Sequence, residues 1–262
     1  MRFCTLSSGS SGNSVFLEYK KTKILVDCGK SCKYISSALK SIGSSPEELS
    51  AILVTHEHND HILGVGAISR RYNIPVYATA GTWASMESKV GFINSRNIKY
   101  IVSDRLFSIA DIGVSAFETP HDACQPVGYS IFAGNLKISV ATDIGHISSA
   151  VLRNVSGSDL VFLESNYDYD KMTTCAYPKS LKKRIMGKTG HLCNDDAADF
   201  AAALVKSGTK YIMLGHLSKE SNTSEIALDT AVKTLTKNGI SCNDDVCLRM
   251  AERDECSFVF DV

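Results

Sequence analysis

Residues 55–61 read THEHNDH, which places His56, His58, Asp60 and His61 within six positions. Imidazole and carboxylate groups bind divalent transition metals well, so four of them this close together point to metal chemistry. A lone histidine is most often a core or surface residue, but three with an aspartate form a pattern. In an extended or turning segment, side chains two apart point the same way. His56 and His58 can therefore hold one ion while Asp60 and His61 turn toward a second.

The surrounding sequence says how such a cluster is held. Four apolar residues, 51–54, form a run of buried-strand type that Thr55 ends. From Ile62 the apolar spacing turns helical, with Ile62, Val65 and Ile68 on one stripe as far as Arg70 and Arg71. This predicts that the cluster sits in a strand-to-helix loop. The same arrangement recurs along the chain: Asp27 closes the strand-like run 23–26, His121 follows 114–118, Asp143 follows 136–141 and His216 follows 211–214. Glu164 and Asn166 follow another such run, 160–163. Ligand-bearing strand ends must converge on one sheet edge, which argues for a single domain over residues 1–262.

Further strands are predicted at 1–6, 16–19, 75–78, 98–102, 105–109, 129–133, 246–250 and 257–260. Helices are predicted at 34–42, 81–90, 195–206 and 224–237, the last opened by a capping box of Asn222 with Glu225. The Ser/Gly run 7–14, with Ser10, Ser11 and Asn13, reads either as a plain hairpin or as a nest of amides and hydroxyls for a phosphate. Residues 171–190 carry Lys171, Lys179, Lys182, Lys183, Arg184 and Lys188 without an acidic residue, and they lead into Gly190-His191 as a basic loop.

Lys plus Arg equals Asp plus Glu at 28 each, so the chain has no overall basic excess and any phosphate-binding surface must be local. A hydrophobic content of 44% over 262 residues suffices for a core. No apolar run is long enough to span a bilayer, and residues 1–4 lead straight into a strand instead of a secretory signal, so no membrane association and a cytoplasmic location are expected. Nine scattered cysteines suit a reducing interior better than a disulfide framework. Cys193, two positions after His191, reads as structural, and His146 receives no assigned role.

THEHNDH matches T-H-x-H-x-D-H, the signature of the metallo-beta-lactamase superfamily, at every fixed position, and in this respect the chain resembles that family. The resemblance implies an α/β fold, a four-layer αββα sandwich of two mixed β-sheets flanked by helices, with metals at one end. It implies His56, His58 and His121 around a first divalent ion, Asp60, His61 and His216 around a second, and Asp143 as the bridge. Zn, Mn and Fe all suit this donor set. Asp27 would orient a ligand histidine through its second nitrogen. Two ions of this kind hold an activated water between them, which is hydrolytic chemistry.

TLSSGSSGNS, ATDIGH, LESNYD, GHLCNDDAA and GHLSKESNTSEIA together resemble the YycJ/WalJ-like branch of that superfamily. The segment holding the last two also resembles tRNase Z-type phosphodiesterases. The resemblance implies a nucleic-acid substrate, DNA in preference to RNA, cut by an exonuclease from the 5′ end. His191 would protonate the leaving oxygen, and Asp60 would stand with it among the catalytic residues. Lys182 and Lys183 would track the backbone, while Ser10, Ser11, Asn13, Glu164, Asn166 and Ser218 would contact substrate or support ligands. Cys193 stands where Ser is common and Tyr167 where His is common. A thioesterase of the glyoxalase II kind and a non-catalytic metal-binding regulatory protein are the competing readings.

Overall fold

The computed structural model describes residues 1–242 and 244–262. In chain order its elements are strands β1 (Arg2–Ser7), β2 (Ser14–Tyr19) and β3 (Thr22–Val26), helix α1 (Cys32–Ser41), β4 (Ala51–Leu53), α2 (Asn59–Ile62) and α3 (Val65–Tyr72). There follow β5 (Val76–Thr79), α4 (Ala80–Val90), β6 (Ile98–Ile101), β7 (Leu106–Ile109), β8 (Ile112–Glu118), β9 (Val127–Ala133), β10 (Leu136–Ala141) and α5 (Ser149–Val155). The chain continues through β11 (Leu160–Glu164), α6 (Tyr169–Thr174), α7 (Lys179–Ile185), α8 (Asn194–Lys206), β12 (Tyr211–Gly215), α9 (Ser224–Lys237), β13 (Cys247–Met250) and β14 (Phe260–Asp261).

The strands form two seven-stranded sheets, ordered β14-β1-β2-β3-β4-β5-β6 and β13-β12-β11-β10-β9-β8-β7. Each is antiparallel in one half and parallel in the other, so both are mixed. Side-chain alternation explains why they stack. In β3, Ile24 and Val26 enter a core filled from both sheets, while Leu25 points to the helices outside. In β12, Met213 faces inward, and Ile212 and Leu214 pack with Ala197, Ala201 and Leu235 of α8 and α9. Strands buried on both faces read as continuous apolar runs, which is how 51–54 appears in the sequence. The predicted four-layer sandwich is the fold observed.

Several local expectations differ. One helix was expected from Ile62 onward, but α2 and α3 are separated at Leu63 and Gly64, so Asp60 and His61 stand on a helical turn instead of in a loop. The cause is remote in sequence: the Gly64 amide donates to Cys28 O at 2.8 Å, and a Cβ on Gly64 would lie 2.2 Å from Lys30 O. The basic stretch 171–190, expected as a loop, contains most of α6 and all of α7. Thr223, not Asn222, caps α9, since its side chain accepts from the Ile226 amide. The predicted strand 257–260 shrinks to β14, and α5, capped by Ser148, was not anticipated. Among the described residues no helix is long and apolar enough to cross a membrane.

Candidate metal centre

Strands β3, β4, β8, β10, β11 and β12 all deliver polar residues at their C-terminal ends; β3 and β4 pair in parallel, as do β10, β11 and β12, and β8 runs the same way as β10 because both are antiparallel to β9. At three of these ends the chain turns through a left-handed residue that is not glycine: Asp27 (φ 61°), Asp143 (φ 55°) and His216 (φ 56°). Such conformations cost about 1–3 kcal/mol each and persist where surrounding structure enforces them, commonly at functional sites.

His56 Nε2 lies 3.0 Å from His58 Nδ1, and His121 Nε2 lies 3.3 Å from the same atom. His61 Nε2 stands 3.5 Å from Asp60 Oδ2 and 3.4 Å from Asp143 Oδ2, which in turn is 3.2 Å from His216 Nδ1. Asp143 Oδ1 is 3.6 Å from His121 Nε2. One carboxylate thus turns an oxygen toward each group, His56–His58–His121 on one side and Asp60–His61–His216 on the other. Within each group the donor atoms lie inside 4.8 Å of one another.

These residues fit divalent ions. Asp143 Oδ2 and His216 Nδ1 are buried and make no hydrogen bond, a costly condition that a cation between them would relieve. His61 Nδ1–H donates to Asp27 Oδ2 at 2.8 Å, and His121 Nδ1–H donates to Gly190 O at 3.0 Å, so both rings present an unprotonated Nε2 inward when neutral. Asp27 is held by the Thr55 amide and hydroxyl, each at 2.8 Å. Burial opposes ionisation of Asp60, yet His61 beside it holds the carboxyl at about 2. Burial likewise opposes ionisation of Asp143, and His216 and His61 hold it well below the usual carboxylate range. Burial and then neighbouring His61 depress His56.

His191 differs from the other histidines. Its Nδ1–H donates to Glu164 Oε1 at 2.7 Å, and Glu164 Oε2 accepts from the amides of Ile144 at 2.8 Å and Leu192 at 3.2 Å. Glu164 is fully buried and bonded to the His191 ring, so of the two expected roles, substrate contact or support of another site residue, its place in the structure is the supporting one. Burial opposes a charge on this ring, but Glu164 and Asp143 outweigh it and raise the ring to about 9. His191 lines a cleft of about 370 Å³ that opens over Asp60, Asp143 and His216.

The other predicted residues divide. Ser10, Asn166 and Ser218 line the cleft, and Asn166 also donates to His216 O at 2.8 Å. Asn13 lies behind the donors, its Nδ2 3.0 Å from His61 Nε2 and 3.3 Å from Asp60 Oδ2. Ser11 turns away to Asp254 at 3.0 Å. The Ser/Gly run is a connection between paired strands, and the amides of Ser8, Gly9, Gly12 and Asn13 are all bonded within the protein, which disfavours the phosphate nest. Lys182 Nζ donates to Thr173 O at 2.7 Å, and neither Lys182 nor Lys183 lines the cleft. Cys193 caps α8, its sulfur accepting from the Asp196 amide, and His146 bonds Lys188 O at the surface. Lys89, Tyr177 and Arg184 line the cleft without having been singled out. Lys89 lies on a helix with no motif, and Arg184 was counted only as part of a basic run.

The sequence from 22 to 216 matches the family described as Beta-lactamase superfamily domain, and the chain belongs to that superfamily. Within it, the chain is 36% identical over 245 residues to "Exodeoxyribonuclease YycJ" of Bacillus anthracis, covering 93% of this chain and 92% of that protein. It is 38% identical over 246 residues to "Exodeoxyribonuclease WalJ" of Streptococcus pneumoniae strain D39, covering 93% and 91%. Among solved structures, Zn(2+)-bound PqqB from Methylobacterium extorquens superimposes with a TM-score of 0.74 at 14% identity over the whole of both chains. The short form of human tRNase Z gives 0.66 at 18% identity, covering 100% and 99%. At these identities the structural likeness concerns the fold.

Proposed function

We propose that this protein is a metal-dependent exodeoxyribonuclease that cuts DNA from the 5′ end. It is a hydrolase of the beta-lactamase superfamily, and two proteins named exodeoxyribonucleases match it at 36% and 38% identity over 93% of its length. The observation within the site that favours a phosphodiester is the His191–Glu164 pair beside Asp143 and His216. Cleavage of a phosphodiester expels an alkoxide, which needs a proton, whereas a thioester expels a thiolate that is stable near neutral pH. A buried carboxylate fixing a cleft histidine is what the first reaction requires.

In this reading His56, His58 and His121 hold one divalent ion, Asp60, His61 and His216 a second, and Asp143 lies between. The donor set suits Zn, Mn or Fe. When bound, such ions lower the pKa of water and neutralise charge on phosphoryl oxygens. Asp27 keeps the proton of His61 on Nδ1, so that Nε2 remains a donor to metal. Glu164 keeps a proton on Nδ1 of His191, leaving Nε2 to donate to the leaving oxygen. Asn166 fixes the backbone of His216. Because the cleft lining runs from Ser10 to Ser218, and β13 and β14 near the end of the chain complete the same two sheets, residues 1–262 act as one domain. Nine free thiols suit the cytoplasm, where the DNA substrate would be met.

The test is incubation of metal-reconstituted protein with end-labelled single- and double-stranded DNA and RNA, beside a thioester. Stepwise release of mononucleotides from the 5′ end of DNA, abolished by a chelator, is expected. Thioester turnover without nucleotide release would favour the glyoxalase II kind of reading, and inactivity on every substrate the regulatory one.

A further inference from the structure

We propose that Lys89 and Arg184 form a two-sided clamp for a second phosphate of the substrate, adjacent to the one that is cut. The inference rests on the nuclease reading above and assigns the part of the cleft that would tell a polynucleotide from an isolated phosphodiester.

Lys89 and Arg184 are the lysine and arginine of the cleft lining. Each is aimed by a single tether that leaves donors unused. Lys89, in the last turn of α4, gives one of its three protons to Glu57 O at 2.9 Å. Arg184, on α7, gives Nε–H and one Nη2–H to the Asp122 carboxylate, at 2.5 and 3.1 Å, which leaves Nη1 and the outer Nη2–H free. A guanidinium held along one edge keeps a planar fork for a phosphate at its end.

The tethers set the position of the clamp. Glu57 lies between His56 and His58 in the chain, and Asp122 directly follows His121. Both cations are therefore anchored to the segments that carry one donor group, His56–His58–His121. The hydroxyl and amide groups of Ser10, Asn166, Tyr177 and Ser218 also line the cleft and are neutral. Asn166 and Ser218 flank the other group, the former bonding His216 O and the latter following His216 by two residues. The charged part of the substrate beyond the scissile bond then lies over the first group, and the uncharged sugar and base over the second. Phosphate contacts of this kind fix register without reading sequence.

The experiment compares kcat/KM on a dinucleotide with a single phosphodiester, the same dinucleotide bearing a terminal phosphomonoester, and a trinucleotide. Wild-type, Lys89→Met, Arg184→Gln and Arg184→Lys proteins are assayed with the metal ion bound. The wild type should favour the substrates with a second phosphate by about 100-fold, each neutralising substitution should cut that preference about tenfold, and Arg184→Lys should retain part of it. A preference shown by the phosphomonoester places the second phosphate at a chain end, and one confined to the trinucleotide places it in the next diester; either supports the clamp. Equal losses on all three substrates, or a wild-type preference near one, would overturn it, since Lys89 and Arg184 would then only brace residues 57 and 122. Failure of the wild type to cut any phosphodiester would overturn the nuclease reading and the clamp with it.

Discussion

The floor of the cleft and its basic wall are built in opposite ways. On the floor, His56, His61, Asp143 and His216 are at most 3% exposed, and each is set by a strand end, a neighbouring donor or a left-handed backbone turn. On the wall, α7 has no buried residue, and its cations are held by a surface carboxylate and a single carbonyl. Buried donors keep their geometry because the whole core would have to move with them, whereas exposed charges are screened and adjustable. The floor should therefore determine whether the chemistry happens at all, and the wall how tightly a particular substrate is held.

The largest effect that would sharpen this contrast is expected from Asp143→Ala. It removes the group lying between both donor sets, so elemental analysis should find metal content reduced and phosphodiesterase activity should fall by more than about 10⁴-fold, beyond the usual cost of losing one general acid. Activity within tenfold of wild type would break the account of the floor. His191→Ala should lower cleavage by about 10²–10⁴-fold, with a smaller loss for a nitrophenyl ester whose leaving group needs no proton. Asp27→Ala removes the acceptor of His61 Nδ1–H and should weaken metal affinity about 10–100-fold, measured by competition with a chromogenic chelator. An unchanged affinity would mean that Thr55 alone positions the ring.

The smallest effect belongs to the wall. Reversing Lys182 and Lys183 to Glu should raise KM for DNA several-fold at low salt, with the difference fading as salt rises and with little change on a small phosphodiester. Equal losses on both substrates would show that α7 is a structural support for Gly190 and His191.

The floor was legible in the sequence because its signal is local: an apolar run, then donor residues at fixed spacing. The same rule placed Asp143 and His216 at strand ends. What escaped depends on distant parts of the chain. The break between α2 and α3 comes from Gly64 meeting Cys28 and Lys30. Glu164 reads in the sequence only as a strand-end carboxylate with two open roles, because its pairing with His191 arises only when β10 and β11 align in register and the chain returns after α7. Lys89 carries no motif, and it becomes visible only where α4 meets the segment of Glu57. The Ser/Gly run kept two readings until its amides found partners, since a loop's composition does not say which of its donors are free.

The division between a metal-holding and a proton-holding histidine is the central claim, and His191 stands close enough to Asp143, Glu164 and His216 for all four to face one ion. Its direct test is the metal content of His191→Ala, by elemental analysis of protein purified without chelator. The account predicts two ions per chain in the wild type and in the variant alike, the variant being a folded protein that cleaves DNA poorly. Loss of one ion would contradict it and make His191 a ligand.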